Sequence, residues 1–167
     1  MKSIRLLFLL TTLSLLISCS KDDTTDPKSD SSVSVIYSDW LDVKFEADKD
    51  GDKILGYYAG LQAPKITDEL LTSGEVKVYI NLSTAADPVI VPLPYIGTNG
   101  TIINFNAQKQ AIEFYSNIDV STYVKNDGGK YLQYRYILMP GTEAARKSQS
   151  INWNKYAEVK SALNLPD

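Results

Sequence analysis

Apolar residues fall at every second position along much of this chain, and that period confines it to pleated sheet. Val76, Val78, Ile80 and Leu82 share one side of an extended segment, while Lys77, Tyr79 and Asn81 share the other. Ile112 and Phe114 alternate with Glu113 and Tyr115. Leu132, Tyr134, Tyr136 and Leu138 alternate with Gln133, Arg135 and Ile137. A helix would scatter these side chains around its axis, whereas a strand gathers them on one face. The spacing predicts strands over 36–47, 53–60, 75–82, 89–94, 101–106, 111–118 and 130–139. Turn residues separate them. Asp50-Gly51 suits a tight hairpin between the first two. Asn99-Gly100, Asn106-Ala107-Gln108 and Asp127-Gly128-Gly129 interrupt the later strands. Pro88, Pro92 and Pro94 remove ladder donors, which assigns 89–94 to a sheet edge or a bulge.

Two short helices complete the pattern. Thr67 can cap a turn near 67–73, where Asp68 and Glu69 suit the positive helix end and Gly74 the exit. Tyr156, Val159 and Leu163 are three to four residues apart, an apolar stripe for a helix near 153–163 that Pro166 follows. About seven strands with regular turns and two minor helices predict a mainly β domain, an antiparallel β-sandwich. The alternative is an α+β domain in which the terminal helix packs across one sheet.

The N-terminus has another texture. Lys2 and Arg5 precede an apolar run, Leu6 to Ile17, with small Ser18 behind it. Twelve residues at a helical rise of 1.5 Å reach only about 18 Å, short of a hydrocarbon core roughly 30 Å thick. Leu16-Ile17-Ser18-Cys19 resembles the lipobox of bacterial lipoproteins. The resemblance implies a signal peptide over 1–18 and a mature chain that begins at an acylated, palmitate-bearing Cys19. Ser20-Lys21-Asp22-Asp23 is similar to the surface-export tag of Bacteroidota-type lipoproteins, with Lys21, Asp22 and Asp23 as its functional positions. It implies an outer-membrane, lipid-anchored protein facing the cell surface; the alternative is an acidic tether facing the periplasm. Residues 19–35 are rich in Ser, Thr, Asp and Lys, too polar to bury a core, and are expected to form a disordered tether. Residues 36–167 then form one domain.

Composition removes most chemistries. The chain has no histidine and one cysteine, so Ser-His-Asp, Cys-His and His- or thiolate-bearing zinc sites are excluded. No Ser-x-x-Lys occurs beyond Ser18, and no phosphate-cradling glycine loop occurs. Loss of Lys2 and Arg5 leaves 15 cations against 20 carboxylates, a formal charge of −5, with no basic track for nucleic acid. No cofactor is implied. Asp48-Lys49-Asp50-Gly51-Asp52 invites calcium, but Gly51 and Ala59 break the EF-hand spacing, and a hairpin turn explains the same residues. Carboxylates survive the exclusion: Asp39, Asp42, Glu46 and Glu113 would serve a glycoside hydrolase if two of them faced one cleft.

The aromatics are the remaining candidates. All eleven tyrosines lie from Tyr37 onward. Trp40, Tyr57, Tyr58, Tyr79, Tyr115, Tyr131 and Tyr134 could together form a stacking platform for sugar. Tyrosine is equally a favoured strand residue that packs half-buried.

A wider resemblance rests on Ala63-Pro64-Lys65-Ile66-Thr67, the run Ser73 to Tyr79, Leu93-Pro94, and the run Tyr134 to Gly141. Over about Trp40 to Pro140 the chain resembles a family of uncharacterised Bacteroidota lipoprotein ectodomains. The resemblance implies a shared fold and brings no reaction or ligand. The expected role is therefore a non-enzymatic interaction or surface-layer component, membrane-bound through its lipid and contacting a protein or glycan. A glycan-binding module beside a transport system and a carboxylate-based hydrolase are the alternatives.

Overall fold

A computed structural model of the chain describes residues 35–141 and 151–166. The expected signal peptide, Cys19, the export tag and all of the tether but Val35 lie outside the described residues. Among the described residues, eleven strands form two antiparallel sheets and a small ribbon. The four-stranded sheet runs β1 (Ile36–Tyr37), β11 (Gln133–Met139), β4 (Glu75–Asn81), β5 (Ile90–Pro92). The five-stranded sheet runs β2 (Glu46–Asp50), β3 (Lys53–Gln62), β8 (Ala111–Ser116), β7 (Ile102–Gln108), β6 (Tyr95–Ile96). Strands β9 (Tyr123–Val124) and β10 (Lys130–Tyr131) pair as a ribbon, and the helices are α1 (Asp68–Ser73) and α2 (Tyr156–Leu163).

The alternation read from the sequence builds the sandwich. Val78 and Ile80 of β4, Tyr134, Tyr136 and Leu138 of β11, and Ile112 and Phe114 of β8 point into one buried core. Phe45, Phe114 and Tyr134 lock the sheets together, with ring centroids 5.1–6.1 Å apart. The buried Tyr134 hydroxyl donates to Val120 O at 2.9 Å, so the ring enters the core without an orphaned donor.

A second apolar layer covers the opposite face of the four-stranded sheet. Tyr79, Ile137 and Met139 meet Tyr156, Val159 and Leu165 there, with Trp40 and Trp153 at the margin. The terminal helix thus packs across one sheet of a β-sandwich, and the two expected architectures describe one molecule. Arg135 belongs to this layer at 1% exposure. Its Nε donates to Ser38 O at 2.8 Å, and its Nη1 donates to Tyr156 Oη at 2.6 Å and Pro166 O at 2.9 Å. Trp40 and Tyr37 present ring faces to the guanidinium at 5.2 and 5.7 Å. Nη2 has no hydrogen-bond partner among the described residues.

Several boundaries differ from the periodicity. The predicted strand 36–47 is two strands in different sheets, β1 and β2. Between them the side chains still alternate, but the Val43 and Phe45 amides donate to Thr122 Oγ1 and Ser121 Oγ rather than to a ladder. Of the predicted strand 89–94 only Ile90–Pro92 forms, as β5 on a sheet edge as its prolines require; β6 follows Pro94 on the edge of the other sheet. Leu132, at φ 57°, divides 130–139 into ribbon and sheet. Asn106-Ala107-Gln108 is strand rather than turn; the chain reverses at Lys109-Gln110, where Gln110 has φ 62°. Helix α1 is capped as expected, Thr67 Oγ1 accepting from Leu70 N at 3.1 Å. Helix α2 begins at Tyr156 rather than 153, because Trp153 O is engaged outside the helix, accepting the Tyr79 hydroxyl at 2.9 Å.

Ile137 and Leu138 are adjacent, equally buried, and on opposite faces of β11. Each substitution by alanine is expected to destabilise by about 2–5 kcal/mol in denaturant unfolding. An uncovered sheet face would instead hold Ile137→Ala within about 0.5 kcal/mol of the parent, and that result would remove the second layer.

Candidate functional site

The five-stranded sheet has an inner face in the core and an outer face that carries a groove of about 560 Å³. Parity decides who lies where. Tyr57, Ala59 and Leu61 of β3 pack inward, so Gly56, Tyr58, Gly60 and Gln62 point out. On β8, Ile112 and Phe114 are in the core, leaving Glu113 and Tyr115 outside. Register then aligns one outward row across four strands: Glu46, Tyr58, Tyr115 and Asn104 are successive cross-strand partners.

Both tyrosines in that row are half-exposed, at 44% and 45%, and both are held by carboxylates. Tyr58 Oη donates to Glu46 Oε2 at 3.0 Å, and Tyr115 Oη donates to Glu113 Oε2 at 2.9 Å. Gln108 Nε2 donates to the other Glu113 oxygen at 2.7 Å. These hydrogen bonds to glutamate lift both phenols above their ordinary range. The hydroxyls thereby tether both half-exposed rings on the solvent side of the sheet. At the groove mouth β2 and β3 slip register between Asp48 and Lys49, leaving Leu55 as the extra residue, 56% exposed.

The seven aromatics expected to share a platform are dispersed. Tyr58 and Tyr115 are brought together on the outer face. Tyr57 points inward beneath them. Tyr79 and Tyr134 are fully buried on opposite faces of the four-stranded sheet. Trp40 packs against Tyr156 with centroids 5.8 Å apart. Tyr131 stacks on Tyr123 in the ribbon at 5.3 Å, with Lys125 Nζ 4.1 Å from its ring. The correction has one cause: a strand's parity places adjacent tyrosines on opposite faces, and both layers of core accept the ring.

The four carboxylates also separate. Glu46 and Glu113 flank the tyrosine pair. Asp42 lies elsewhere, accepting from Lys130 at 2.6 Å and Gln133 at 2.8 Å, and the Lys130 bond holds it below the usual carboxylate range. Asp39 is exposed beside the second layer. Asp48 and Asp50 are on β2, and Gly51 makes the hairpin turn at φ 60°. Among the described residues, no three His, Cys, Asp or Glu side chains cluster closely enough to hold a metal ion.

Sequence reasoning missed Asn104, Leu55, Gly56 and Gly60. The signal was present: glycines at alternate positions around Tyr58, within a strand whose intervening residues are apolar. No protein-family model, curated protein or solved structure matches the chain.

Burial pushes the Tyr79 and Tyr134 phenols far above the ordinary value of about 10. A raised folded-state value stabilises fully below pH ~10, and the contribution is lost as pH climbs beyond it. Alkaline titration, following tyrosinate absorbance and far-ultraviolet dichroism together, should show these two phenols ionising only as the sheet signal collapses. Ionisation of both near pH 10 with dichroism intact would contradict their placement.

Proposed function

We propose that this chain is a lipid-anchored outer-membrane lipoprotein, displayed at the cell surface through Cys19. Its sandwich is a non-catalytic interaction module that meets its partner through the outer face of the five-stranded sheet. The address is supported by the residues Leu16 to Asp23, which resemble a lipobox followed by an export tag. The binding face is supported by one observation: two neighbouring tyrosines stand exposed on a regular sheet with their hydroxyls already committed to Glu46 and Glu113. A ring so fixed loses little further freedom on contact, which favours recognition. The same hydrogen bonds engage Glu46 and Glu113 on an open surface, leaving Asp48 as the one unengaged carboxylate of the groove, which supports binding rather than two-carboxylate bond cleavage.

Replacing Cys19 with alanine should move the protein from the membrane pellet to the soluble fraction of cell extracts. Retention in the pellet would refute acyl anchoring. Replacing Lys21, Asp22 and Asp23 together with alanine should protect most of the membrane-bound protein from protease added to intact cells; unchanged cleavage would remove the tag from the account.

A further inference from the structure

Among the described strands, only β3 contains glycine, and its two glycines flank Tyr58 on the outward row. Glycine weakens a strand and leaves bare backbone where a ligand or another chain comes close. At Gly56 packing supplies a reason, since an added Cβ would lie 3.2 Å from Ser116 O. At Gly60 it supplies none. An added Cβ there would meet nothing within 4 Å, and the backbone is not left-handed. Gly60 and Tyr58 are two positions apart on the same outward row, so the glycine leaves the sheet surface beside Tyr58 without a side chain.

We infer that the Tyr58–Tyr115 face binds an uncharged oligosaccharide, whose apolar C–H faces stack on the two rings while its hydroxyls reach Asn104 and Asp48. The inference rests on this sheet face being the binding surface. Its chemistry follows from what the groove offers and lacks. Aromatic faces carry partial negative charge and attract the polarised C–H groups of a sugar ring. Sugar hydroxyls both donate and accept; the Asn104 amide does both, and the Asp48 carboxylate accepts. Neither side chain has a hydrogen-bond partner among the described residues, so both groups are available to a ligand. Asn117, by contrast, is committed to Ile102 N and Gly100 O. No lysine or arginine lines the groove, Asp48 is its one charged residue, and Glu46 and Glu113 stand beside it. That balance repels sulfated and uronate sugars as well as nucleic acid. A cationic peptide is the competing class, and it differs in its response to salt.

The test uses the full chain in micelles of a detergent without a sugar headgroup, titrated calorimetrically with neutral xylan, mannan, glucan and galactan oligosaccharides. Dextran sulfate, polygalacturonate and oligolysine are run beside them. At least one neutral series is expected to bind with little dependence on salt, and the anionic polymers are not. Tyr58→Ala should weaken that binding about tenfold or more. Gly60→Val should do the same, while its thermal unfolding and dichroism match the parent, because valine suits a strand and has room there. Failure of every neutral oligosaccharide to bind overturns the inference. If oligolysine binds and both variants abolish it, the ligand class is wrong and the sheet face stands. Sugar binding that both variants leave unchanged overturns the face itself.

Discussion

Strand β11 is covered on both sides, and the arrangement of everything else follows from that. In a two-layer sandwich a strand has one dry face and one wet one. Here the even row, Tyr134, Tyr136 and Leu138, closes the sandwich core, while the odd row, Arg135, Ile137 and Met139, is roofed by residues 151–166. Arg135 registers that roof. Its guanidinium ties Ser38, Tyr156 and Pro166, which are 97, 21 and 31 residues away in the chain. A buried cation is costly unless its donors are met, and no described carboxylate pairs with it. Oxygen acceptors and two aromatic faces take that part instead, and two of the three acceptors, Tyr156 Oη and Pro166 O, are supplied by the C-terminal segment.

Roofing one sheet leaves the other with the free face. Its edges are poor docking sites. Strand β2 is charged along its length and bulged, β6 is two residues long, and on the roofed sheet β5 carries Pro92 and β1 is two residues long. Such features discourage pairing with another strand. A partner of the proposed kind would therefore meet side chains on the open face rather than backbone at an edge. Those side chains are held by the ladder below them, since Tyr58 and Tyr115 are directly opposed across β3 and β8. The site is as rigid as the sheet.

Where one face of a strand is buried and the other wet, the sequence was readable, as in β4 and β8. Where partners rather than side-chain parity decide the structure, it was not. Leu41, Val43 and Phe45 alternate as a strand should, yet they cross between the sheets, because hydroxyls of Ser121 and Thr122 stand in for a neighbouring strand. Arg135 alternates as a solvent residue should, yet it is buried, because its cover comes from a segment more than fifteen residues downstream. The proposed binding face was legible in the same partial way. Two of seven aromatic candidates belong to it, and tyrosine itself does not say which, being at home in core and surface alike. The residues two positions away separate some of them: Gly56 and Gly60 flank Tyr58, whereas apolar residues flank Tyr57 and Tyr134, and the polar Lys77 and Asn81 beside Tyr79 give no sign that its ring is buried.

The cost of those glycines separates a used surface from a merely exposed one. Each weakens an element by roughly 0.5–1 kcal/mol relative to alanine, on a β3 otherwise built from strand-forming residues. Folding alone favours a side chain at Gly60, where space is open and the backbone ordinary. A side chain there would fill open surface beside Tyr58 on the outward row. Stability forgone at one position, beside a ring whose hydroxyl is fixed and whose neighbours Asn104 and Asp48 keep hydrogen-bonding capacity, is the pattern the proposed binding face predicts.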